Sequence, residues 1–108
     1  MYRVQIVAQA LVEVNHNLSY IRNNLSNQQA ANNLKKAFKF SLFSLEVFPH
    51  HQVVGIFQGK KLYKISIKNY YAFYFIDEKT KIVSIIYFVH RSRDWSQLFP
   101  STNKLALI

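Results

Sequence analysis

The chain has 108 residues, half of them apolar and 16% aromatic, which suits one compact domain and speaks against a disordered chain. It contains no cysteine, so a disulfide framework and a thiolate metal site are excluded, in keeping with a reducing cytoplasm. Fourteen Lys and Arg stand against five Asp and Glu, for a net charge of +9, and such a field favours polyanions. The excess is uneven. Residues 1–59 hold five basic and two acidic side chains, whereas residues 60–108 hold nine and three, so an anion-binding surface is expected in the second half.

Tyr2, Val4, Ile6 and Ala8 alternate with Arg3, Gln5 and Val7, which reads as a strand. The period then changes. Leu11, Val14, Leu18, Ile21 and Leu25 form the apolar stripe of a helix of about four turns. Ser26 followed by Gln29 resembles a capping box, and Ala31, Leu34, Phe38, Leu42 and Leu45 continue a second helix until Phe48-Pro49 stops it. Two helices so closely joined form an antiparallel hairpin.

His50–Gly59 reads as a loop with a short extended piece at Val53–Phe57. Three strands follow. In Lys61–Lys68, Tyr63, Ile65 and Ile67 share one face, while Leu62, Lys64, Ser66 and Lys68 share the other. Tyr70–Ile76 is apolar on both faces and is expected in the interior of a sheet, and Ile82–His90 is the last strand. Asp94–Phe99 adds a helical turn before Pro100. The expected fold is therefore α+β: an N-terminal strand, an antiparallel helix hairpin, then three antiparallel strands, with the helices on one face of the sheet. The domain is expected to span residues 1–99, with 100–108 as a tail. Met1–Ala10 lacks the apolar core of a signal peptide. The longest apolar run, Ile82–Val89, is interrupted by Ser84 and too short to cross a bilayer. A soluble cytoplasmic protein without membrane contact is the expectation.

The element order, together with Tyr2-Arg3-Val4, Ala30-Ala31, Leu34, Leu45, Phe48-Pro49, Lys64-Ile65, Asn69-Tyr70, Phe73–Asp77 and Phe88–Trp95, resembles the RelE/ParE superfamily of type II toxin–antitoxin toxins, the plasmid stabilisation family. The segment Phe88-Val89-His90-Arg91-Ser92-Arg93-Asp94 resembles its closing pattern of a hydrophobic strand, His and Arg-Arg-Asp. The resemblance implies a growth inhibitor silenced by a cognate antitoxin. It also implies one of two mechanisms: ribosome-dependent cleavage of messenger RNA, or inhibition of DNA gyrase without a catalytic centre.

Cleaving RNA through its 2′-hydroxyl needs a base, an acid and positive charge at the phosphate. The candidates are Arg91 and Arg93, which fall in the family's closing segment, and His90, of the residue type most used for proton transfer near neutral pH. Lys60, Lys61, Lys64 and Lys68 could hold nucleic acid, and Tyr71 could stack on a base. Solvated strand lysines that protect a sheet edge explain Lys60 and Lys61 equally well, and a structural role competes with catalysis for His90. The nuclease branches, and many ParE-like ones, carry Arg at the position of Tyr71, a departure that weighs against cleavage unless another cation replaces it. Trp95, Leu98 and Phe99 either dock on the domain or contact a partner. His50-His51 has no carboxylate or Cys at ligand spacing, so no metal or other cofactor is assigned, and nothing points to a small-molecule ligand. The first expectation is a toxin that cleaves ribosome-bound mRNA. The second is a gyrase inhibitor, and the third an inactive or basic nucleic-acid-binding module.

Overall fold

A computed structural model describes residues 1–99; the expected tail, 100–108, lies outside the described residues. The chain runs β1 (Arg3–Ile6), α1 (Ala8–Ser19), a π-helical turn (Tyr20–Asn24), α2 (Gln28–Val47), β2 (Gln52–Phe57), β3 (Lys60–Ile67), β4 (Tyr70–Asp77), β5 (Ile82–His90) and a 3₁₀ turn (Trp95–Leu98). The strands form one sheet in the order β1-β5-β4-β3-β2. β1 pairs parallel with β5 and the other pairs are antiparallel. The α+β fold holds, and β4, expected as an interior strand, is the central one.

The sheet has one more antiparallel strand than expected. Its edge strand β2 contains a bulge between Val53, opposite Tyr63, and Gly55, opposite Leu62. The extra residue breaks the two-residue period, which is why the segment looks like a loop in the sequence. Between β2 and β3, Gln58 and Gly59 both adopt left-handed backbone, with φ of 54° and 77°, as a two-residue turn matched to strand twist requires.

Helix boundaries moved for local reasons. The N-cap of α2 is Asn27, whose side chain accepts from the Ala30 N–H at 2.9 Å, not Ser26, which takes a left-handed φ of 50°. In the π turn, the Leu25 N–H reaches back five residues to the Tyr20 carbonyl at 3.2 Å. That wider turn rotates Leu25 off the stripe, and it is exposed, as is Leu11. Ala10, Val14 and Leu18 form the buried row of α1 instead.

The helices cover one face of the sheet. Val14, Leu34, Phe38 and Leu45 pack with Tyr63, Ile67, Tyr70, Tyr74, Val83, Ile85 and Phe88. Tyr74 is fully buried, stacks on Tyr63 at 5.4 Å, and donates its hydroxyl to the Pro49 carbonyl at 2.6 Å. This bond fixes the turn that leads from α2 into the sheet. Tyr74→Phe should lower stability by about 1 kcal/mol in urea denaturation, because the Pro49 carbonyl keeps only the His51 N–H at 3.0 Å.

A polar cluster pins the start of the chain. Glu78 accepts from the Tyr2 hydroxyl at 2.7 Å and contacts His50 Nε2 at 2.6 Å. The Tyr2 N–H also donates to the Glu46 carbonyl, and the Arg3 N–H to the Lys81 carbonyl, both at 2.8 Å. The Tyr2 and His50 contacts hold the Glu78 carboxyl at about 2, below its usual 4.5. A depressed carboxyl stabilises the fold above its ordinary value, and that contribution fades as pH falls from about 4.5 towards 2. The cluster is solvent-exposed and therefore screened, so its signature is a slope in acid. Glu78→Gln should flatten the loss of thermal stability over that window.

Candidate functional site

A five-stranded sheet has two faces, and α1 and α2 cover only one. On the other, Leu62, Phe73 and Val89 are buried under Phe99, with Trp95, Leu98, Tyr71 and Tyr87 packed around them. The fold closes this face with its own C-terminal turn. Asp94 caps it, accepting from the Ser96 N–H at 3.2 Å. The Phe99 ring then sits 4.9 Å from Phe57 and 5.2 Å from both Phe73 and Tyr87. A bulge in β5 helps. Phe73 lies opposite Tyr87, but Tyr74 lies opposite Ile85, so Ile86 and Tyr87 both pack on this face. Phe99 is thus buried in the domain's own core, and Trp95 and Leu98, partly buried, pack against it.

Lys64 crosses this cluster. Its ammonium lies 4.1 Å from the Tyr71 ring centre and 5.7 Å from that of Trp95, a cation–π geometry. A single cation therefore sits over the position where the resemblance expects Arg. Lys60 lies towards the far end of β3, 5.5 Å from the Phe75 ring. It borders a crevice of about 520 Å³ shared with Gln5, Asp77 and Ser84. Lys61, exposed, is the next residue along β3 and alternates to the opposite side.

Lys68 does not share a face with Lys64. It lies in the β3–β4 turn with a left-handed φ of 56°, which carries it round to the helix side, beside Asn33, Lys36 and Phe40 of α2. The alternation read from sequence ends one residue earlier, at Ile67.

His90 and Arg93 belong to a third place. With Val12, Glu13, His16 and Asn17 of α1 they line a crevice of about 380 Å³. β1 ends where Ile6 meets Ile85, so β5 has an unpaired edge beyond that point. Glu13 fills the gap by accepting from the Phe88 N–H at 3.1 Å. Burial raises the Glu13 carboxyl, while the Phe88 N–H and the Arg93 charge pull it back. The His90 ring packs edge-on against Tyr70 at 5.2 Å, and its Nδ1 accepts from the Ser92 N–H at 3.1 Å. An acceptor Nδ1 leaves Nε2 to carry the hydrogen of the neutral ring. Arg91 extends the ladder, its N–H donating to the Asn69 carbonyl at 2.8 Å, and its side chain is exposed.

The sequence candidates therefore fall into separate places. Lys64 and Tyr71 meet on one face with Trp95, His90 and Arg93 meet beside α1, and Lys60 and Lys68 stand at different ends. His16, on the crevice wall, was missed by sequence reading; its only signal was its place one helical turn after Glu13. Among the described residues no group of three His, Cys, Asp or Glu converges as a metal site, and His50 is engaged with Glu78. No helix of the described residues is long and apolar enough to cross a membrane.

A small basic domain with a helix hairpin on one face of a mixed sheet is the architecture of the RelE/ParE toxins. The family model for the ParE toxin of the type II toxin–antitoxin system parDE matches residues 4–95, and the chain belongs to that family. No curated protein matches it. Among solved structures, the fold is similar to a chain of the archaeal RelE–RelB complex from Pyrococcus horikoshii OT3. The TM-score is 0.60 at 22% identity, covering 85% of this chain and 97% of that one.

Removing the acceptor at the β5 edge tests the crevice. Glu13→Ala should accelerate amide exchange at Phe88 and cost about 1–3 kcal/mol, whereas Glu13→Gln, which keeps an acceptor oxygen, should restore most of the protection.

Proposed function

We propose that this chain is a growth-inhibiting toxin that acts by binding its target, with DNA gyrase as that target and a cognate antitoxin as the partner that silences it. The observation that carries the reading is the separation of Lys64, the cation at the Tyr71 position, from the candidate catalytic pair His90 and Arg93. Phosphodiester cleavage needs base, acid and cation around one phosphate. Here Lys64 lies on one face of the sheet, and His90 and Arg93 line the crevice beside α1. The aromatic closure by Phe99 further favours a surface that docks over one that encloses a substrate. Membership of the ParE family and the partnered RelE in the similar structure support the target and the antitoxin respectively.

Cleavage of ribosome-bound mRNA is the second reading, favoured by one observation: the Lys64 ammonium 4.1 Å above Tyr71 supplies a cation where Arg is missing. The two separate cleanly when the chain is induced in a bacterial host without antitoxin and DNA and protein synthesis are pulse-labelled. Binding to gyrase predicts that DNA synthesis stops first, with a damage response, and that Lys64→Ala still arrests growth. Protein synthesis falling first, with cut messenger and a silent Lys64→Ala, would replace this reading with the nuclease. Normal growth would point to an inactive binding module.

A further inference from the structure

α2 is apolar on two opposite sides. Its inner row, Leu34, Phe38 and Leu45, is buried in the core. On the outer side, Phe40 and Phe43 are 75% and 73% exposed and Val47 is 50% exposed. These three are spaced by three and four residues, so they form one ridge. Phe48, 72% exposed, continues it beyond the helix, and Met1 is held nearby by the Tyr2–Glu46 backbone bond. From Phe40 to Val47 the ridge runs about 10.5 Å at 1.5 Å per residue, roughly two turns. Monomeric proteins rarely leave large apolar side chains together in water without a use for them.

The surroundings of the ridge specify its partner. Lys36 and Lys39 lie four residues before Phe40 and Phe43, on the same helical rows. Lys68 from the β3–β4 turn joins Lys36 and Phe40 in lining a crevice of about 330 Å³. That crevice offers room for an apolar side chain beside two ammonium groups. A second copy of this chain would bring its own net charge of +9 to an already cationic edge. A ridge two turns long, with a notch and cations at one end, matches a helix better than a flat surface.

We propose that the outer face of α2 is a docking site for an acidic amphipathic helix of a partner protein, apolar along the Phe40–Phe43–Val47 ridge and carboxylate-rich at the Lys36, Lys39 and Lys68 end. The proposal stands on this surface and not on growth inhibition.

The test uses the full chain and two synthetic peptides of about 18 residues, long enough to hold a helix. Both carry one leucine stripe, flanked in one by glutamates and in the other by lysines, and binding is read by fluorescence anisotropy. The acidic peptide should bind, weaken as salt rises, and lose roughly tenfold or more in affinity against Phe40→Asp/Phe43→Asp. Lys36→Glu/Lys39→Glu should weaken it similarly. Unchanged thermal midpoints show that both variants fold, since all four positions are solvent-exposed. Equal binding by the aspartate variant, equal binding by the lysine peptide, or no binding by either peptide would overturn the proposal. So would a shift of the ridge's role elsewhere: Phe40-dependent sedimentation with anionic phosphatidylglycerol vesicles would assign it to a lipid surface. Phe40-dependent dimers in ultracentrifugation would assign it to self-association.

Discussion

Phe73 and Tyr74 are neighbours in β4, point to opposite sides of the sheet, and are both fully buried. Because successive strand residues face opposite ways, the sheet must be covered twice, and much of the rest of the structure meets that requirement. The helix hairpin covers the Tyr74 side. With only two α-helices among the described residues, the Phe73 side falls to the turn at Trp95–Leu98 and to Phe99. The bulges in β2 and β5 reshape the strands around that second core, since each adds a residue where packing and not ladder pairing decides the backbone.

The same requirement bears on chemistry. An open sheet face could gather strand lysines and the arginines after β5 into one cationic surface. Filled with aromatic rings, it holds Lys64 by cation–π contact, and the remaining cations settle where the backbone takes them. Arg93 and His90 turn to α1, and Lys68 follows its turn to α2. Charge that is not collected at one point gives a diffuse positive field, suited to steering and docking more than to stabilising a single developing charge.

Much of this was legible in the sequence. The apolar run Tyr70–Ile76 announced a central strand, and the spacing of Ala31, Leu34, Phe38 and Leu45 announced the buried row of α2. The order of elements carried the family resemblance. What was not legible depended on single backbone events. One inserted residue hid β2, a π turn displaced Leu25, a cap moved from Ser26 to Asn27, and a left-handed Lys68 changed sides. The site suffered most because it is assembled from distant segments. That Glu13 would seal the edge of β5, or that His16 would share a crevice with His90, follows from where β1 stops, which no local pattern states.

We propose that this domain inhibits by contact and not by cutting RNA. This is tested most directly with the purified chain, in parallel reactions containing DNA gyrase with relaxed plasmid and ribosomes programmed with messenger. Inhibition by contact predicts blocked supercoiling, with intact messenger on the ribosomes. Messenger cut on the ribosomes while supercoiling proceeds normally would contradict it.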